Sequence, residues 1–400
     1  MTPDNPHAAV ALELTAGSTL PQDGTAGSLL ARIWNPEVAG PSPAVVREDG
    51  VHDISGTFPT VSLLCEEEQP AAALREADGP RIGGLDELLA QTVRNPDDPS
   101  VARFLAPVDL QPVKAAGVTF AASMVERLIE ERAKGDPAAA AGIRAELAEV
   151  LGGDLHGLRP GTPEAAEVKR RLVARGDWSQ YLEVGIGPDA EIFTKALPLS
   201  AVGPGSRAGV LRESEWNNPE PEVALVVSSR GAIVGATLGN DINLRDYEGR
   251  SALLLPKAKD NNASCVLGPF IRLFDDTFGL DAIRSTTVRL EVYGRDGYVL
   301  CGKSSQGRSS RAPEDLVRQL MGEHHQYPDG VVLLLGTMFA PVNDRDEPGR
   351  GFTHHPGDVV RVSTPELGTL AHEIRYSQEC APWTYGVRVL MTGLARRGLL

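Results

Sequence analysis

Cysteine is scarce: the 400 residues hold 4, at Cys65, Cys265, Cys301 and Cys380, with no Cys-x-x-Cys pair among them. That spacing excludes a disulfide framework and a thiolate zinc site. Apolar runs of about eighteen residues are absent, so no membrane span is expected. Positive charge is in deficit. Lys+Arg 39 against Asp+Glu 54 leave a net charge of -15, a field that repels phosphate backbones and anionic lipid. Neither nucleic acid nor a membrane surface is therefore expected as a partner. The opening residues carry neither a basic stretch nor an apolar one, so no secretory signal is expected and a cytoplasmic location is.

What is present suffices for a core. Hydrophobic residues make up 42% and charged residues 23%, which excludes global disorder. Residues 1–107 read as a small mixed N-terminal domain: runs such as Ala44-Val45-Val46 and Val61-Ser62-Leu63-Leu64 are broken by Gly and Pro, and Leu85–Val93 reads as a helix. Residues 108–400 read as a catalytic β-rich domain with a helical insertion over about 127–180. Pro137 and Pro163 fit first-turn positions there, behind the N-cap candidates Asp136 and Thr162, and Gly152-Gly153 and Gly176 fit helix ends. Beyond residue 190, the runs 222–227, 232–238, 266–273, 288–292, 331–335 and 359–362 read as strands. Helix between them is sparse apart from Pro313–Gly322. The fold class is thus α+β and mainly β, not doubly wound.

Two glycine patterns, Gly185-Ile186-Gly187 and Gly203-Pro204-Gly205, read as turns, because neither stands between a buried strand and a helix N-terminus. The doublets His324-His325 and His354-His355 read as surface histidines, since neighbours in sequence do not share a face. His372-Glu373 lacks the second histidine of a zinc-helix motif.

Chemistry gathers elsewhere. Glu220 and Glu222, two apart at the start of an apolar strand, present both carboxylates to one face of a sheet. Asp241 ends the next strand. Three hard oxygen ligands suit Mg²⁺, Mn²⁺ or Ca²⁺ rather than Zn²⁺, and the competing reading is a solvated strand-end charge cluster. Only seven of the basic residues are lysine, and four of them are Lys195, Lys257, Lys259 and Lys303. Lysine, unlike arginine, can give up its proton near a divalent cation, so its retention hints at acid–base or Schiff-base work.

The stretches Pro219-Glu220-Pro221-Glu222-Val223-Ala224-Leu225-Val226 and Gly239-Asn240-Asp241-Ile242-Asn243-Leu244-Arg245-Asp246 resemble the fumarylacetoacetate hydrolase superfamily. Lys259 and Ser264-Cys265-Val266-Leu267-Gly268-Pro269 continue the likeness. It implies a rolled mixed β-sheet domain with Mg²⁺ (or Mn²⁺) held by Glu220, Glu222 and Asp241. Arg245 and Lys259 would then face a 2-keto acid whose carboxylate meets Thr337. A homodimer or homotetramer is the assembly expected of such a chain.

Hydrolytic members carry an upstream His–Glu pair. Here the matching run from Gly117 to Glu126 keeps Glu126 but has Ser123 in the histidine's place, and a serine hydroxyl is no general base near neutrality. The segments Tyr247-Glu248-Gly249, Leu255-Pro256-Lys257-Ala258-Lys259 and Phe193-Thr194-Lys195-Ala196 are similar instead to the 2-keto-3-deoxy-pentonate dehydratase branch. The implied activity is a hydro-lyase forming 2-oxoglutarate semialdehyde in pentose catabolism. Lys259, its pKa lowered by Mg²⁺, and Glu126 would move protons, and Lys195 and Ser123 would join the substrate-binding set. The alternative is a metal-dependent acylpyruvate or 2,4-diketo-acid hydrolase, and a third reading is a non-enzymatic sugar-acid sensor.

Overall fold

The computed structural model describes residues 11–151, 158–176, 178–339 and 341–400. The chain start and Gly152-Gly153 lie outside them. An eleven-stranded sheet forms the backbone of the molecule, ordered 81–83, 50–53, 40–47, 29–35, 265–273, 233–241, 221–227, 331–334, 113–117 and 191–196, with 103–104 pairing on 29–35. A second sheet, ordered 299–305, 287–293, 359–364, 368–376 and 207–210, packs against one of its faces. The mixed, mainly β architecture agrees with the expectation.

The six expected strands all form, and the reason lies in the residue pattern. Thr287–Tyr293 alternates in burial, as a strand wet on one face should. Pro221–Val227 is buried throughout, because both faces are covered: Val223, Leu225 and Val227 meet Leu290, Val292 and Val362 of the second sheet. Ala224 and Val226 face the opposite core with Leu267, Ile271 and Val332. A strand covered on both sides needs a continuous apolar run, which this one has.

That second core also contains Leu30, Val45, Ile54, Val61 and Leu64, and Leu29 and Leu30 pair with Arg272 and Ile271. The border expected at residue 107 therefore coincides with no break in sheet or core. Val61–Cys65, which begins as one of the short apolar runs of this region, is a helix. Thr60 caps it locally by accepting the Leu63 N–H at 3.1 Å, and Asp109 accepts the N–H groups of Val61 and Ser62 at 2.6 and 3.0 Å from farther along the chain.

The helical stretch runs as Ala121–Ala133, Pro137–Leu151, Pro163–Arg175 and Gln180–Ile186, so it starts before residue 127. Thr162 caps its helix by accepting from Ala165 N–H, and Gly176 ends it at φ +75°. Gly185 belongs to the last of these helices, not to a turn. Met124, Leu128, Ile129, Leu172 and Leu182 join in a small core of their own, which lays the first helix over one end of the long sheet.

Candidate active site

Sheet register builds the site. Pro221 pairs with Asn240 and Glu222 with Gly239, so Glu220 lies beside Asp241, whose N–H donates to the Glu220 carbonyl at 3.0 Å. Asn240 accepts the Glu220 N–H at 2.9 Å through its side chain. Glu220, Glu222 and Asp241 are 5%, 2% and 1% exposed, and each offers an oxygen within 4.8 Å of the others. A solvated charge cluster would not be buried so deeply. Three buried hard oxygens are a donor set that suits a divalent cation.

Protein cations surround two of the three. Lys259 donates to Glu220 at 2.5 Å and to Asp241 at 3.0 Å. Lys195 stands 2.9 Å from the other Asp241 oxygen and donates to the carbonyls of Ile242 and Lys259 at 2.8 and 2.6 Å. Burial pushes the Asp241 carboxyl up, but these two lysines hold it below the ordinary range. Glu222 forms no ion pair among the described residues. Its carboxyl accepts the N–H of Gly336 at 2.6 Å, and Lys259 draws on it without pairing with it. Burial, then Asp241 and Glu220, push the Glu222 carboxyl well above its usual value, which is the signature of a site short of positive charge. Gly336 can present that N–H because its φ is +86° and no side chain intervenes: a Cβ there would lie 2.1 Å from the Thr119 hydroxyl.

Lys259 departs from expectation. Burial pulls its ammonium down, yet Asp241, Glu220 and Glu248 together hold it above the ordinary amine range. The protein's own groups thus keep it charged, and a lowered pKa requires a cation that screens those carboxylates.

The helix Ala121–Ala133 closes the cleft. Ser123, Glu126, Arg127 and Glu130 follow i, i+3, i+4 and i+7, which puts them on one face. Arg127 pairs with Glu220, with Glu130 at 2.7 Å and with Glu248 at 2.9 Å. Glu126 is gripped by Arg144 at 2.9 and 2.8 Å and by Arg245 at 2.9 Å; burial opposes its charge, but these guanidiniums hold its pKa below the usual value. It is therefore held ionised and has no proton to donate near neutrality. Arg245 also donates to Glu130 at 2.6 Å and to the Pro341 carbonyl at 3.1 Å, and lies 4.4 Å over the Trp216 ring. Ser123 donates to the Phe120 carbonyl at 2.9 Å. Thr337 accepts from Phe339 N–H at 3.1 Å, which leaves its own O–H to donate. The cleft enclosed by these groups measures about 30 Å³.

The structure thus brings together Glu220, Glu222, Asp241, Lys259, Glu126, Arg245, Ser123 and Thr337 around one cleft. Lys195 does not line it. Its ammonium is instead turned to Asp241, to the carbonyls of Ile242 and Lys259 and to the Ser264 hydroxyl at 3.3 Å. Sequence reading missed Arg127, Glu130, Glu191 and Glu248, all on the cleft wall. Burial pushes Glu248 up to about 7 against the pull of Arg127 and Lys259. Its place inside a quoted motif, and the Arg127–Glu130 spacing on a helix, were the available signals. Of the histidine doublets, His324 and His325 are exposed, but His354 is buried and bonded to Asp358 at 3.1 Å. His372 is also buried, its Nε2 3.0 Å from the Asn240 side chain, and burial pushes its pKa down to about 3.

Known proteins share parts of this sequence and fold. Residues 187–375 match the model described as fumarylacetoacetate (FAA) hydrolase C-terminal. The chain is 33% identical over 196 residues to the probable 2-keto-3-deoxyxylonate dehydratase of Haloferax volcanii, covering 48% of this chain and 63% of that protein. It is 32% identical over 189 residues to 2-dehydro-3-deoxy-D-arabinonate dehydratase of Saccharolobus solfataricus, covering 46% and 58%. The matches thus span about three fifths of the length of these relatives. A solved structure of 2-keto-3-deoxy-D-arabinonate dehydratase complexed with magnesium and 2,5-dioxopentanoate is 23% identical, with a TM-score of 0.60 over 87% of this chain and 99% of that one. A fumarylacetoacetate hydrolase from Exiguobacterium antarcticum shares the fold more loosely, at 16% identity and a TM-score of 0.51. Residues 187–375, which carry the carboxylate cluster and Lys259, are thus similar to a fumarylacetoacetate hydrolase C-terminal domain.

Proposed function

We propose that this chain is a divalent-metal-dependent hydro-lyase that dehydrates a 2-keto-3-deoxy-pentonate to 2,5-dioxopentanoate (2-oxoglutarate semialdehyde). The observation that carries the reading is the buried cluster of Glu220, Glu222 and Asp241 in a cleft whose described lining holds no imidazole. The names of both curated relatives and the magnesium complex of the structural neighbour support it. Mg²⁺ held by the three carboxylates would supply Lewis acidity toward the carboxylate and ketone oxygens of a 2-keto acid.

The chain's own residues then have distinct parts. Lys259 lies against two of the proposed ligands, where it can take the C3 proton once those carboxylates are neutralised. The proton taken from C3 would leave with the C4 hydroxyl as water. Glu126, kept ionised on the lid helix by Arg144 and Arg245, would accept the C5 proton and return it to carbon in the tautomerisation to the aldehyde. Thr337 donates its free O–H to the substrate carboxylate. Arg245 fixes Glu126 and Glu130 more than it binds ligand, since its fork is already occupied. A hydrolase would need a base for water, and Ser123, bonded to the Phe120 carbonyl, is not one.

The test is incubation with Mg²⁺ and a panel of 2-keto-3-deoxy acids and acylpyruvates, with products identified by mass. Loss of one water from a five-carbon acid is expected. Fragmentation into pyruvate and a carboxylic acid would overturn the reading.

A further inference from the structure

We propose that the chain carries a second binding site, for a small planar aromatic anion, in the cavity between the N-terminal strands and the segment 380–385. This goes beyond the reaction proposed above. The cavity measures about 320 Å³, within the usual range of small-molecule sites, and shares no lining residue with the carboxylate cleft.

Two guanidiniums define its chemistry. Arg32 is 6% exposed and Arg103 9%, and among the described residues neither forms an ion pair. Arg32 donates to the carbonyls of Ala106 and Val108 at 3.4 and 3.1 Å. Arg103 donates to those of Pro96 and Asp98 at 2.7 and 2.6 Å. Burial draws both below the ordinary guanidinium range, against the weaker pull of Asp109 on Arg32 and of Asp97 and Asp98 on Arg103. Hydrogen-bonded only to neutral carbonyls and with no carboxylate in contact, each buried cation is only partly compensated, and a ligand carboxylate would pair with it directly. Among the described residues the one acid on the wall, Asp97, pairs at 3.5 Å with a third wall guanidinium, Arg207.

The walls also specify a ring. Arg103 lies 5.3 Å over Trp34, and Tyr385 meets Trp34 edge-on at a centroid distance of 5.9 Å. Trp383, 45% exposed, stands at the rim. Aromatic faces at right angles accept a flat ring by stacking on one and meeting the other edge-on. The cavity's thiol, Cys380, is pushed up to about 11 by burial and by Asp97, which makes it a poor nucleophile. The wall is built to bind, not to react.

The probe is benzoate titrated into the full chain, with benzamide as its neutral isostere and inorganic phosphate as an anion without a ring. Tryptophan fluorescence reads it, because Trp34 and Trp383 line the cavity. Saturable quenching by benzoate is expected, with benzamide and phosphate binding far more weakly. Arg32→Leu should weaken benzoate about ten- to a hundredfold, the loss of one hydrogen bond to a charged group. Trp383→Ala changes only the exposed rim, so it keeps the test alive if the Arg32 variant fails to fold, and it should weaken benzoate several-fold. Benzamide or phosphate binding as tightly as benzoate, unchanged affinity in either folded variant, or no saturable quenching would overturn the site.

Discussion

Glu222 receives a 2.6 Å hydrogen bond from the backbone N–H of Gly336, and among the described residues no basic side chain pairs with it. Its carboxyl is held well above the usual range by burial and by its acidic neighbours, so a cation that binds there must displace a proton. Mg²⁺ affinity should therefore rise with pH while Glu222 remains protonated, about tenfold per unit at most, and level off once it ionises. Calorimetry in two buffers of different ionisation enthalpy should show the released proton. Glu222→Gln should abolish both the Mg²⁺ affinity and its pH dependence while leaving the fold intact.

Glu248 tests the same electrostatics through stability. Its folded pKa, raised by burial to about 7, exceeds that of an unfolded glutamate, so the folded state holds the proton more tightly between the two values. The metal-free protein should thus lose stability as pH rises from the ordinary carboxylate range through about 7. In Glu248→Gln that part of the slope should vanish, as read from denaturant midpoints across pH.

Arg127 joins Glu220, Glu130 and Glu248 from the lid helix. Arg127→Met should leave three buried carboxylates facing one another and destabilise the protein by about 3–5 kcal/mol. Urea melts should show a lower midpoint, with part of the loss recovered on adding Mg²⁺.

Ser123 separates the two enzyme readings. Ser123→His places an imidazole one helical turn from Glu126 and should not speed dehydration. It should introduce cleavage of acylpyruvates, since a general base is worth about 10²–10⁴-fold. Product analysis by mass decides it: faster dehydration in the variant would mean that the wild type is short of a base for its own reaction.

Lys259→Met should halt exchange of the C3 protons of a bound 2-keto acid in D₂O, followed by proton NMR with Mg²⁺ present. Exchange at the wild-type rate would transfer the proton step to Glu126 and leave Lys259 as a countercharge for Glu220 and Asp241.

The sequence by itself determined the strand pattern, the pairing of Glu220 with Glu222 on one face, and Asp241 at the end of the next strand. These follow from periods of two and from apolar runs, which act over a few residues. Tertiary structure alone decided what those carboxylates meet. Lys195 looked like a substrate contact but spends its protons on Asp241 and on two backbone carbonyls. Arg127 and Glu248, more than a hundred residues apart, join across the cleft because the lid helix docks on its own small core. His354 is buried where its doublet predicted a surface, since it packs beside Phe352 and bonds to Asp358. Local sequence encodes which residue types share a strand or helix face. Burial and charge pairing depend on contacts between distant segments, and those fix the protonation of Glu222, Glu248 and Lys259.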